Sequence, residues 1–263
     1  MTRKRVGLAL SGGVGRGPAH IGVLLTLLEA GIPVDYVAGV SAGSIIGSLF
    51  CSGLGVNELL AQRHRFRWRR LAAVVLSPHG LVSFAPLARE LIAVIGDRTF
   101  DEMAIPFAVG VTDLNTAEPL VINSGKVAVA VHASCAVPGF VVPVHHQGRL
   151  LGDGGITCNL PGSVARRMGA DYVIGVDLLA PKLRPRGGPL RYGLEAIETL
   201  VERSGGGLDA VDCLIRPDLA GYTYFDFNRF EDLVARGRAA AQARLAEVRA
   251  AVFATDTHAP IAR

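Results

Sequence analysis

The chain has 263 residues, half of them hydrophobic and only 19% charged, with a formal net charge of +4 at pH 7. That composition excludes a disordered chain and is enough for one sizeable α/β core or two small ones. No apolar run approaches the roughly 18 uninterrupted residues of a membrane-spanning helix, and no nucleic-acid-binding motif is present. The four cysteines (Cys51, Cys135, Cys158 and Cys213) lie far apart with no C-x-x-C pair, which points to buried free thiols in a reducing compartment rather than to zinc or a disulfide framework.

In chain order, Met1–Arg5 imitates the charged head of a signal peptide. The apolar run behind it, Val6–Leu10, is shorter than the hydrophobic region of one, so a cytoplasmic location is expected. Residues 5–10 read as a short buried strand, followed by the glycine-rich stretch 11–17 and a helix from Pro18 to Ala30. Pro18 suits a first helical turn, Ile21, Leu24, Leu25 and Leu28 recur at helical spacing, and Gly31 ends the helix. A strand, glycine loop and helix in succession direct backbone N–H groups at an anion. A phosphate-binding loop would need Lys-Ser/Thr after Gly17, where Pro18-Ala19 stand. A dinucleotide fingerprint fails because the glycines fall at 12, 13, 15 and 17. The remaining use is an oxyanion hole near a nucleophile.

A nucleophile follows. The apolar run 34–38 enters Gly39-Val40-Ser41-Ala42-Gly43, and a small-residue helix leaves it, running to about Cys51. Strand, sharp turn and helix with serine at the apex form the nucleophile-elbow pattern. Gly39 and Gly43 remove the Cβ atoms that would collide in the turn. In a parallel sheet this loop and the glycine loop emerge at the same C-terminal edge.

The segment from Asn57 to about Leu71 reads as a helix crowded with Arg63, Arg65, Arg67, Arg69 and Arg70. Two readings stay open: a solvated charged face, or, with Phe66 and Trp68 interleaved, peripheral contact with an anionic membrane. Residues 72–82 read as a loop, and Ser83 opens a helix through about Ile95. Strands over 106–114 and 119–123 follow, then a helix over 126–134 and a hairpin of 141–144 with 149–151 around His145–Gly148. Asp153, with Gly152 before it and Gly154-Gly155 after, is by itself an ordinary turn. A helix (160–168), a strand (171–176), a proline-rich mobile loop (181–189), a helix (190–203), a strand (211–215) and a long helix (227–253) complete the chain. Residues 1–254 are expected to form one domain, ahead of a polar, disordered tail at 255–263.

With these stretches assembled, the chain resembles the patatin-like phospholipase family in its small bacterial form. Gly12-Gly13-Val14-Gly15-Arg16-Gly17 is similar to the family's G-G-G-x-R-G loop, Gly39 to Gly43 to its elbow, and Asp153-Gly154-Gly155 to its D-G-G. Residues 133–139 resemble the family's proline segment, and the tail from Ile215 resembles the final helix of bacterial members. The resemblance implies a three-layer α/β/α fold with a mainly parallel sheet, and a serine–aspartate dyad that hydrolyses acyl lipids without metal or organic cofactor. On that basis Ser41 is the nucleophile and Asp153 its partner. Gly12, Gly13 and Val14 supply oxyanion donors, supported by Gly15, Arg16 and Gly17. An acyl lipid is the expected partner, and oligomeric state is left open. Val14 departs from the family's third glycine: its N–H can still donate, but a β-branched residue resists positive φ. That departure motivates the alternative of a catalytically weak or inactive regulator or lipid-binding protein; acyl transfer is a third possibility.

A Ser–Asp–His triad in α/β-hydrolase order would need a histidine after Asp153, and only His258 in the tail follows, so that reading is rejected. His20 reads as a structural hydrogen-bonding residue, and His145 and His146 adjoin in a hairpin, where alternate side chains point to opposite faces, and are not a metal pair. Arg16 either holds the oxyanion loop or lies on the surface. Ser44 is expected to cap the helix after the elbow.

Overall fold

A computed structural model describes residues 3–65, 67–179, 188–204, 207–223 and 228–254. The expected proline-rich loop (apart from its last two residues), Phe66 and the tail from 255 lie outside the described residues.

The strands are β1 (Val6–Leu10), β2 (Tyr36–Val40), β3 (Ala73–Ser77), β4 (Gly80–Ser83), β5 (Phe107–Asp113), β6 (Glu118–Ile122), β7 (Val144–His146), β8 (Arg149–Asp153), β9 (Tyr172–Val176) and β10 (Cys213–Ile215). The helices are α1 (Pro18–Glu29), α2 (Ala42–Cys51), α3 (Val56–Ala61), α4 (Trp68–Leu71), α5 (Ala85–Ile95), α6 (Val127–Ser134), α7 (Gly155–Cys158), α8 (Gly162–Arg167), α9 (Pro189–Arg203) and α10 (Phe230–Val252). The main sheet has the order β10-β9-β1-β2-β5-β8-β7, with β6 on β5 besides. It is parallel from β10 to β5 and antiparallel where β8, β7 and β6 join.

Alternation along the strands builds the layers. Leu8, Leu10, Val37, Ile174 and Val176 point into the larger core with α1, α2, α6 and α10, while Ala9, Ala38 and Val173 point into a thinner one against α8. Larger side chains thus serve the thick layer, and alanines with Val173 the thin one. α1 and α10 cross closely because both lack a side chain at the crossing: a Cβ on Gly22 would lie 2.0 Å from the Val234 carbonyl oxygen, and one on Gly237 would lie 1.9 Å from that of Ala19. The expected mixed α/β fold with a central, mostly parallel sheet flanked by helices is the fold observed.

Three local expectations differ. The arginine-rich stretch is not one helix but α3, a single 3-10 turn (Gln62–His64) and the short α4. Arginines four residues apart, Arg63 with Arg67 and Arg65 with Arg69, repel along a helix face, and the stretch lacks apolar periodicity to oppose that. Residues 73–83 are not a loop but the separate hairpin β3–β4, whose Val74-Val75-Leu76 suits a strand. The β7–β8 turn is the two residues Gln147-Gly148, both at positive φ, which places His145 and His146 within β7. Among the described residues no helix is long and apolar enough to cross a membrane.

Candidate active site

Strand β5 sets the geometry of the site. Val40, the last residue of β2, pairs with Gly110, and Asp153, the last residue of β8, pairs with Val111. β6 pairs with both of those β5 positions and so occupies the opposite edge. β2, parallel to β5, and β8, antiparallel to it, therefore run toward each other along one edge and end on consecutive residues. Ser41 and Asp153 are brought together by that head-on meeting. It depends on absent side chains: a Cβ on Gly154 would sit 2.4 Å from the Gly110 carbonyl oxygen, and one on Gly43 would sit 2.3 Å from that of Leu10.

Ser41 stands at φ +49°, a region costly for a residue with a Cβ. Its N–H donates to Ser134 Oγ (2.8 Å), and that hydroxyl donates to the Gly110 carbonyl (2.7 Å). Its carbonyl accepts from Ser44 N–H (2.9 Å) and Ser44 Oγ (2.6 Å). Ser44 thus binds the carbonyl of the apex residue and does not cap a free N–H, the role expected of it. Ser134, which joins the elbow to β5, carried no sequence signal of its own.

Asp153 is buried, and its Oδ1 accepts the Gly155 N–H (2.8 Å). Burial pushes its carboxyl up to about 6, while hydrogen bonds from Gly155 N–H and the Ser41 hydroxyl favour the charged form and pull it down. The buried Cys135 thiol lies beside Ser41, Ser44 and Asp153. Burial and the Asp153 charge push its pKa up, so it stays protonated.

The glycine loop lies on the elbow: a Cβ on Gly12 would be 3.2 Å from that of Ser41. Its base is held by His20, whose Nε2 donates to the Ser11 carbonyl (2.8 Å). The ring is fully buried, and burial lowers its pKa to about 4, so it is neutral and its proton sits on Nε2. Ser11 Oγ donates to the Gly12 carbonyl and accepts from Leu178 N–H. Arg16 is buried and donates to the carbonyls of Leu178 (3.2 Å) and Tyr222 (2.8 Å). Of its two expected roles, holding the loop is the one its position fits. Gly17 N–H closes the turn onto the Val14 carbonyl (3.2 Å), with Gly15 inside it.

At Gly12 the structure departs from expectation. Its N–H donates to Asn159 Oδ1 (3.1 Å), so it is occupied by a side chain. The N–H groups of Gly13 and Val14 have no hydrogen-bond partner among the described residues. Val14 holds φ +48°, the left-handed conformation a glycine would take freely. Asn159 itself was not singled out from the sequence, although it lies six residues beyond Asp153. The bond from Gly12 fixes its oxygen toward the loop, which leaves its Nδ2 buried and without a partner among the described residues.

Ser41, Asp153, Asn159, Gly13 and Val14 share a cavity of about 670 Å³. Its walls are largely apolar, among them Ile45, Leu49, Leu59, Trp68, Leu87 and Phe140. Such a cavity suits an extended hydrocarbon group. Among the described residues no group of three His, Cys, Asp or Glu side chains is placed to hold a metal.

A patatin-like phospholipase family model matches residues 8–166. Patatin-like phospholipase domain-containing protein 6 of Homo sapiens is 34% identical over 188 residues, covering 68% of this chain and 14% of that protein. Lysophospholipase nte1 of Aspergillus fumigatus is 32% identical over 181 residues, covering 66% of this chain and 12% of that protein. The chain therefore spans about a seventh of the length of these relatives. Among solved structures, VipD from Legionella pneumophila aligns with a TM-score of 0.58 at 14% identity, covering 93% of this chain and 67% of VipD, a likeness of fold.

Proposed function

The chain belongs to the patatin-like phospholipase family, and from that premise we propose that it hydrolyses carboxylic esters of acyl lipids, of the phospholipid or lysophospholipid class, through Ser41 and Asp153. The observation that carries this reading is the meeting of β2 and β8 on Gly110 and Val111, which sets a serine and a carboxyl of raised proton affinity at one apolar cavity.

Ser41 Oγ attacks the ester carbonyl carbon while Asp153 accepts the hydroxyl proton. The carbonyl π electrons move onto oxygen, and the oxyanion accepts hydrogen bonds from the N–H groups of Gly13 and Val14. Collapse re-forms the carbonyl and expels the alcohol, which takes the proton from Asp153 and leaves an acyl group on Ser41. Water, deprotonated by Asp153, then repeats the sequence and releases the fatty acid. A carboxyl near 6 is a better base than an ordinary aspartate yet is mostly ionised at pH 7. Asn159 is a positioning residue that orients the loop through Gly12. These steps draw on no metal or organic cofactor. The free cysteines, three of them buried, fit a reducing, cytoplasmic setting.

The test is hydrolysis of a soluble short-chain p-nitrophenyl ester, with fluorophosphonate labelling of Ser41. Ser41→Ala and Asp153→Asn should each lose about 10³-fold or more of the rate. The wild-type rate should fall as pH drops through about 6, where Asp153 takes up a proton. Full activity surviving in both variants removes the dyad. Absence of fluorophosphonate labelling favours the lipid-binding alternative, and ester products formed with an added alcohol favour acyl transfer.

A further inference from the structure

The segment after α3 contributes nothing to the dyad, and its two sides differ in character. Trp68 and Leu71 of α4 face inward and line the cavity, with Trp68 edge-on to Phe84 (ring centroids 5.5 Å apart). Arg67 and Arg69 face outward, exposed and without an ion pair among the described residues. Arg63 is paired with Glu231, and Arg65 and Arg70 share Glu90.

The hairpin β3–β4 continues this division. Leu81 and Val82 N–H both donate to the Phe140 carbonyl (2.9 and 3.1 Å), and Val142 N–H donates to the Val82 carbonyl (2.8 Å). The ribbon is thereby clipped to the segment whose Phe140 and Val141 form cavity wall. Its outer side presents Val74, 89% exposed, Leu76, fully exposed, and Leu81, about half exposed. Large aliphatic side chains exposed along a two-stranded ribbon mark an interaction surface. Its charge has one sign: no aspartate or glutamate occurs between Glu58 and Glu90.

We propose that the β3–β4 ribbon, together with Arg67 and Arg69, is the edge by which this protein docks on an anionic lipid bilayer. Val74, Leu76 and Leu81 enter the boundary between headgroups and acyl chains, and the two guanidinium groups bind headgroup phosphates. The charge decides between occupants. A second copy of this chain meeting the same face about a two-fold axis would set arginines against arginines, with no carboxylate from this segment to offset them. A phosphate-bearing surface supplies the missing charge. Because the same segment forms cavity wall, an acyl chain leaving the bilayer there is already beside the cavity that holds Ser41. That last clause rests on the acyl-lipid reading above; the docking itself does not.

Binding is therefore measured apart from catalysis, with the Ser41→Ala protein, by co-sedimentation with vesicles of phosphatidylcholine containing or lacking phosphatidylglycerol. Binding is expected to need phosphatidylglycerol and to weaken with salt. The Val74→Ser/Leu76→Ser pair should reduce it at least tenfold, and Arg67→Gln/Arg69→Gln should reduce it comparably while flattening the salt dependence. With Ser41 intact, the same pairs should hydrolyse the soluble ester at the parental rate, which confirms a preserved fold. Unchanged vesicle binding in the ribbon variants overturns the proposal. So does a dimer in sedimentation velocity that requires Leu76, in a protein that ignores vesicles. A chain that docks through the ribbon yet cleaves no ester overturns the hydrolase reading and leaves this one standing.

Discussion

Two residues of the site, one in each loop, hold almost the same unusual backbone angle: Val14 at φ +48° and Ser41 at φ +49°. At Ser41 the conformation is bound from both sides, by Ser134 on the N–H and by Ser44 on the carbonyl. At Val14 the N–H has no partner among the described residues, and the carbonyl is engaged by Gly17. The glycine loop is instead tied at its ends, by His20 and Asn159 before Val14 and by Arg16 after it. The elbow is thus strained and clamped at its apex residue, Ser41. The loop is strained at one residue and clamped around it, which leaves the Gly13 and Val14 N–H groups uncommitted among the described residues. The proposed roles account for the difference: a nucleophile must be held in one place, whereas donors to a developing charge must be vacant until it forms.

The largest effect that would sharpen this contrast is acid sensitivity of the loop's anchor. His20 is neutral in the folded state, with a pKa near 4 against 6.5 when unfolded. Its folded pKa is depressed, so the unfolded state binds the extra proton, and stability falls as pH drops from about 6.5 toward 4. The loss approaches about 3 kcal/mol. Asp153, whose carboxyl burial raises to about 6, works in the opposite direction over the same range in both proteins. The His20 contribution is therefore read as the difference in slope between wild type and His20→Gln in urea unfolding; equal slopes would mean that His20 does not anchor the loop as a neutral ring. Next comes Ser134→Ala, which leaves the buried Ser41 N–H and Gly110 carbonyl without their shared hydroxyl. It should cost about 2 kcal/mol of stability and slow fluorophosphonate labelling of Ser41. Labelling at the parental rate would show that the elbow needs no clamp. The smallest effect is expected of Val14→Gly. Relief of strain and the added freedom of the unfolded chain oppose each other, so stability should stay within about 1 kcal/mol and labelling should not slow. A marked slowing would give the valine side chain a part in shaping the cavity.

Much of the site was legible locally. Strand, turn and helix around Ser41 follow from a short apolar run, flanking glycines and a small-residue helix, all within one stretch of chain. The glycine loop before Pro18 is read the same way. Asn159 and Ser134 were not legible, because each acts through one hydrogen bond to a residue far off in sequence, and no spacing rule registers that. The arginine-rich stretch and the segment after it were misread for a related reason. Local charge repulsion broke the expected helix, and the ribbon is held by the Phe140 carbonyl, more than fifty residues away.

By itself the sequence determined the two strand–loop–helix units, the order of the motifs and the mixed α/β class, since hydrophobic spacing and glycine placement act over a few residues. Only the tertiary structure decided that β8 runs back against β5 to end one residue from where β2 stops, and that burial there raises the Asp153 carboxyl. It likewise decided that Asn159 occupies one of the three N–H groups expected as donors. These depend on which strand edges are free and on which groups lose water together, and both are properties of the packed whole.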